Sequence, residues 1–186
     1  RYFGQALIRR RQGFGGQGKL EGVEWMNFDK IVKTITPPKK IQKINFNKVG
    51  KYPIIDQSQN EIAGWTNDKN SLVKLNAPVV IFGDHTCAIK YVEKSFAQGA
   101  DGIKILIANK RILPKFLYFY LKTGIIKQDG YKRHFSKLRE LKIPLPSLEI
   151  QKKLVAEAEK EQQIINANKQ LIEIMEQKIS DVLSEI

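Results

Sequence analysis

From Glu24 to Asn109 the apolar residues fall in short runs broken by Gly, Pro, Asn and Asp, whereas from Leu113 onward they recur at helical spacing. The segment WMNFDKIVKTI opens the patterned region and predicts a strand or a short helix. TPPKKIQKINFNK reads as a proline-led basic loop. KYPIID and EIAGWTN predict two short strands with QSQN as the turn between them. APVVIFGD is a β-branched run closed by Gly83-Asp84, CAIKYVEK follows as its hairpin partner, and GIKILIAN is a further buried strand. LPKFLYFYLKTGII predicts a helix that accepts Pro114 in its first turn and ends at Gly124, with Phe116, Leu117, Phe119, Tyr120 and Leu121 as its apolar bulk. A second short helix is expected from His134 to Leu141. Strands dominate the first part and helices the last, so the expected class is α+β.

The final stretch differs in kind. Pro144 and Pro146 exclude helix before Ser147, and Ser147 is a suitable N-cap with Glu149 in the first turn. Neither Gly nor Pro occurs from Ser147 to Ile186, which predicts a rod of roughly 60 Å. With heptad position a at Ala158, later a positions are Ile165, Ile172, Ile179 and Ile186, and d positions are Leu154, Glu161, Asn168, Met175 and Val182. β-Branched residues at a form a seam suited to another helix, and Asn168 at d favours one register at some cost in stability. Three segments follow: residues 1–23, glycine-rich and unassigned; 24–146, a mixed body; and 147–186, a long helix.

Charge sharpens the division. The net charge is +13, yet residues 147–186 hold 5 Lys against 8 Asp/Glu, while residues 1–146 hold 27 Lys/Arg against 11 Asp/Glu. A body so cationic is suited to a polyanion, because each phosphate it neutralises releases counterions. No run reaches the ~18 apolar residues of a membrane span. A single cysteine, Cys87, excludes an internal disulfide and fits a reducing cytoplasm. The N-terminal stretch has no apolar core long enough for a signal peptide, and the missing initiator Met reads as a processed, truncated or excerpted chain.

Candidate chemistry is sparse. GFGGQG spells G-x-G-x-x-G but follows Arg9-Arg10-Arg11 rather than a strand, so no dinucleotide site is expected. One Cys and two His cannot supply the four ligands of a structural zinc, and His85 with Cys87 lacks an orienting third residue for nucleophilic catalysis. Asp129 followed by Glu140-Leu141-Lys142 imitates a metal-nuclease pattern only loosely and is better read as a solvated surface. Neither a G-x-S-x-G nor a phosphate loop is present. The expectation is a non-catalytic chain that binds no metal or cofactor itself.

Binding remains. KQDGYKRHFSKLRELK carries six Lys/Arg with Tyr131 and His134, so Lys132, Arg133, His134, Lys137, Arg139 and Tyr131 lead as DNA contacts. Lys39, Lys40 and Lys43 of the proline-led loop come second, with Lys69 and Asn70 of TNDKN. The expected helix interface comprises Leu154, Ala158, Ile165, Asn168, Ile172, Met175, Ile179 and Val182.

LKIPLPSLEIQKKLV resembles the opening of the long helix in the specificity subunits of type I restriction–modification systems. EWMNFDKIV, GKYPIIDQSQNEIAGWT, VIFGDHTCAIKYVEKSFAQGADGIKIL and FLYFYLKTG resemble, in order, further segments of their target recognition domain. The resemblance implies a sequence-specific reader of double-stranded DNA without a catalytic centre. It also implies docking to methyltransferase subunits that use S-adenosylmethionine, with ATP and Mg on partner subunits including a restriction/translocase. A full subunit of that kind has two recognition domains and two long helices, and this sequence carries one of each. A half-subunit pairing with a second copy, a C-terminal portion, and the specificity end of a fused methylase–nuclease all fit that count. A coiled-coil adaptor for an acidic protein is the alternative from another class. Cys87 stands where the family's turn favours a small residue such as Gly.

Overall fold

The computed structural model describes residues 23–100 and 102–184. The chain runs β1 (Glu24–Asn27), α1 (Phe28–Ile31), β2 (Val32–Ile35), β3 (Lys40–Ile41), β4 (Tyr52–Ile55), β5 (Gly64–Thr66), β6 (Leu72–Val73), β7 (Val79–Gly83), β8 (Ile89–Val92), β9 (Phe96–Gly99) and β10 (Ile103–Ala108). It continues through α2 (Pro114–Lys122), α3 (Phe135–Arg139), β11 (Lys142–Leu145) and α4 (Leu148–Ser184). The class is α+β, as expected.

Of the three sheets among the described residues, the two larger ones stack with a helical layer. The order β2-β10-β7-β8 is antiparallel throughout, whereas β9 pairs parallel with both β3 and β4 in the other sheet. The central strands β7 and β10 are buried on both faces, which is why VVIF and IKILIA are nearly continuous apolar runs. Val80, Phe82 and Leu106 face α1, α2 and α3 with Phe28, Phe116 and Leu117. Their neighbours Val79, Ile81, Ile103 and Ile105 face Ile55, Val73 and Phe96 of the second sheet. Each such fully buried side chain contributes about 1.5–3 kcal/mol.

Several expectations need correcting. WMNFDKIVKTI is strand, helical turn and strand in succession rather than one element. The proline-led loop contains β3 and a 3-10 turn at Lys43–Asn45. β9 and β11 carry no period-2 signal and exist through pairing: β11 lies antiparallel to β1, with Pro144 opposite Trp25. A two-stranded ribbon tolerates that proline because the missing N–H costs no ladder bond on an unpaired side. Cys87 occupies the turn between β7 and β8 at φ +54°, a left-handed backbone that glycine adopts without strain. Burial pushes its thiol above the usual thiol range.

Ser147 caps α4, its hydroxyl accepting from Ile150 N at 3.3 Å. Three residues into the helix, the side chain of Gln151 is wholly buried. Its Oε1 accepts from Leu113 N (2.8 Å), and its Nε2 donates to Arg111 O and Pro146 O (both 2.9 Å). One amide thus fastens the start of the rod to the loop that begins α2. Leu154, Val155 and Ala158 then pack on the body's own core. Lys115 reaches Glu159 at 2.6 Å, and Lys122 contacts Gln162 at 3.4 Å. Leu154 and Ala158, expected in an interface with another helix, therefore serve intramolecular docking.

Candidate nucleic-acid interface

Three loops meet at one end of the body. Asp84, in the turn after β7, is buried. Its Oδ1 accepts from the amides of His134 (3.0 Å) and Phe135 (2.8 Å), satisfying donors that the start of α3 would otherwise leave open. His134 N also donates to Asp84 O at 2.8 Å. Next to it His85 N donates to Gln57 Oε1, and Thr86 Oγ1 donates to Gln57 O at 2.6 Å, which joins the turn after β4. Asn60 O of that turn accepts from Lys90 Nζ at 2.5 Å, and burial holds this lysine below the usual amine range.

On this base sits the segment from Lys127 to Arg133. Tyr131, 84% exposed, stacks on the His85 ring with centroids 4.7 Å apart and planes 12° from parallel. Lys132, Arg133 and Lys137 are exposed. Lys132 Nζ lies 2.5 Å from Asp129 Oδ2, and Lys137 Nζ lies 3.7 Å from it. The Lys132 hydrogen bond holds the Asp129 carboxyl below the usual carboxylate range. Arg133 makes no ion pair among the described residues. Arg139 forks onto Asp29 of α1, with contacts of 2.7 and 3.1 Å, and that hydrogen bond lowers the Asp29 carboxyl likewise.

His134 departs from expectation. Its side chain is 0% exposed, so it does not belong to the contact surface among its cationic neighbours. Its Nδ1 lies 3.1 Å from Asp84 O, and its Nε2 accepts from Asp129 N at 3.0 Å. The residues that carry the segment, Asp84, His85, Gln57 and Thr86, were absent from the expected site. The Gly83-Asp84 turn was visible in sequence, but nothing local marked its partner 50 residues away.

The second cationic set lies elsewhere, around the sheet built on β9. Lys39 pairs with Asp68 at 2.7 Å, and Asp68 also accepts from Asn70 N at 3.0 Å, which ties the two loops together. Lys40 lies on β3, Lys43 on the 3-10 turn, and Lys69 and Asn70 on another turn of that kind, all exposed. Beside them Phe46, Asn47, Lys48, Ile62 and Trp65 line an open groove of about 390 Å³.

Beyond Gln162 the rod leaves the body. Every described residue from Gln163 onward is exposed, including Ile165, Asn168, Ile172, Met175, Ile179 and Val182. Ile164, Leu171, Ile174 and Leu183 widen the stripe. The exposed apolar stripe thus runs along the whole described length of the projecting helix. Among the described residues there is no cluster of metal-ligating side chains, and no helix is long and apolar enough to cross a membrane.

The specificity subunit of the type I restriction enzyme EcoR124I/EcoR124II from Escherichia coli is 29% identical over 153 residues, covering 73% of this chain and 38% of that protein. A solved chain from work on complex assembly and conformational transition of the type I R-M system superimposes with a TM-score of 0.62 at 17% identity, over 89% of this chain and 46% of its own. The type I restriction-modification S subunit from M. genitalium gives 0.60 at 19% identity, over 84% and 44%. The chain therefore spans less than half the length of each, and the two structural likenesses show a shared fold. The profile for the type I restriction modification DNA specificity domain matches residues 21–182, and the chain belongs to that family.

Proposed function

We propose that the chain reads one half of a bipartite sequence in double-stranded DNA, and that the outer part of α4 pairs with a second helix to fix the distance to the other half. The partner helix comes from a second copy or from a second recognition unit. Methyltransferase subunits dock on the same rod, with S-adenosylmethionine, ATP and Mg held by partner subunits, among them a restriction/translocase. Such work belongs to the cytoplasm, where the DNA is. The observation that carries the reading is the separation of surfaces. Exposed cations crowd the loops of the body, while the projecting rod bears an apolar stripe and, over residues 147–186, 5 Lys against 8 Asp/Glu. Lys132, Arg133 and Lys137, with Arg139 and Tyr131 at the margins, form the leading contact set; Lys39, Lys40, Lys43, Lys69 and Asn70 form the second.

Arg133 is the most informative position, since no carboxylate among the described residues pairs with it. Replacing it with alanine should weaken binding to duplex DNA severalfold and reduce the salt slope by about one unit. Fluorescence anisotropy across a salt series measures both. Unchanged affinity and slope would count against the assignment.

A further inference from the structure

The geometry points to His134 as a positioning residue: its buried imidazole holds the segment 129–133 in the one arrangement that discriminates between DNA sequences. This rests on the DNA reading above and adds the device that makes the contact selective.

Cations on a loose loop bind phosphate but cannot choose among bases, because base-edge recognition needs donors held in fixed directions. The segment 129–133 has few other means of being held. It lies outside regular structure, Gly130 turns through φ +68°, and Lys132 and Arg133 are exposed. Besides the ion pair of Asp129 with Lys137 at 3.7 Å, two contacts among the described residues tether it. On the outside, Tyr131 stacks on His85. On the inside, the backbone amide of Asp129 donates to His134 Nε2 at 3.0 Å.

The inner contact fixes the tautomer. A ring nitrogen that accepts from an amide carries no proton, so in the neutral ring the proton sits on Nδ1 and is donated to Asp84 O, 3.1 Å away. His134 therefore links Asp84 to Asp129 through one donor and one acceptor on opposite sides of a rigid ring. Asp84 is in turn the cap of α3, through His134 N and Phe135 N. The turn after β7, the start of α3 and the cationic segment are thereby locked into one unit. A buried histidine among surface lysines does not itself contact DNA; it decides where Tyr131, Lys132 and Arg133 point.

The test uses the full chain and a duplex pool with a randomised central stretch. Wild-type protein should enrich a sequence; affinity is then compared between an enriched duplex and a scrambled one. His134→Leu should lower that ratio about tenfold or more, while affinity for the scrambled duplex and its salt slope stay near wild type. His134→Gln, which keeps an acceptor for the Asp129 amide, should restore much of the ratio. Should His134→Leu not fold, Gly130→Val gives the same information from the loop side. Apart from its chain neighbours, no described atom lies within 4 Å of a Cβ added there, so the left-handed turn itself takes the strain. Independently, nitrogen shifts of the His134 ring should show a neutral ring protonated on Nδ1. A ring protonated on Nε2, or discrimination unaltered in both His134→Leu and Gly130→Val, overturns this proposal and leaves DNA binding standing. Failure of the wild-type chain to bind duplex at all overturns the DNA reading instead, and this proposal with it.

Discussion

Asp129 shows how single residues set the strength of a surface. Its carboxylate lies between Lys132 and Lys137, at 2.5 and 3.7 Å, and so competes with phosphate for both. Asp129→Asn should raise affinity for non-specific duplex a few fold and steepen the salt slope by about one unit, readable in the same anisotropy series. The carboxyl sits below its unfolded value, so the pairing is present above the ordinary carboxylate range near pH 4 and is lost as pH falls through the lower folded value. Wild type and variant should therefore keep a constant difference between pH 6 and 8. Neither pair partner could be assigned from sequence, where Asp129 is one acidic residue in a basic stretch. The basic stretch itself was legible, but the inward turn of His134 was not, because its burial depends on Asp84.

Among the elements, α4 is two helices in one. Its first turns are core: Gln151 holds Leu113 N, Arg111 O and Pro146 O, and Leu154 and Ala158 pack on the body. Gln151→Leu keeps the volume but leaves a buried N–H without its acceptor. A loss of about 2–3 kcal/mol in unfolding free energy is expected by urea denaturation, with little change in the cationic loops. The rod was legible because helix is the only regular structure that 40 residues free of Gly and Pro can sustain with this periodicity. Where it parts from the body was not. The heptad treats Leu154 and Ile172 alike, and only the presence of α2 beside the former separates them. β9 and β11 were missed for a related reason: FAQG and KIPL have no pattern of their own, and each is extended because a distant strand supplies its hydrogen bonds.

At the scale of the molecule, the cationic loops and the exposed apolar stripe occupy different places, the body and the projecting part of α4. Some 22 residues of helix, about 33 Å, project past Gln162 with an apolar stripe exposed to water. Ile172→Asp combined with Ile179→Asp should leave the melting temperature of the body within about 2 °C of wild type, because neither side chain touches it. The same double substitution should abolish concentration-dependent association in sedimentation velocity, where the unaltered chain should form a pair. Association that survives it would place the interface elsewhere.

The sequence alone determined the class of the fold, the central strands, the hairpin at Gly83-Asp84, the start of the rod at Ser147 and the partition of charge between body and rod. Each of these follows from local periodicity, a proline or glycine, or composition, all of which act over a few residues. Tertiary structure decided the rest: which part of the rod belongs to the body, which strands exist only as partners, and which member of a cationic cluster is a strut. Those outcomes turn on hydrogen bonds and burial between residues tens of positions apart, and a buried imidazole is indistinguishable in sequence from an exposed one.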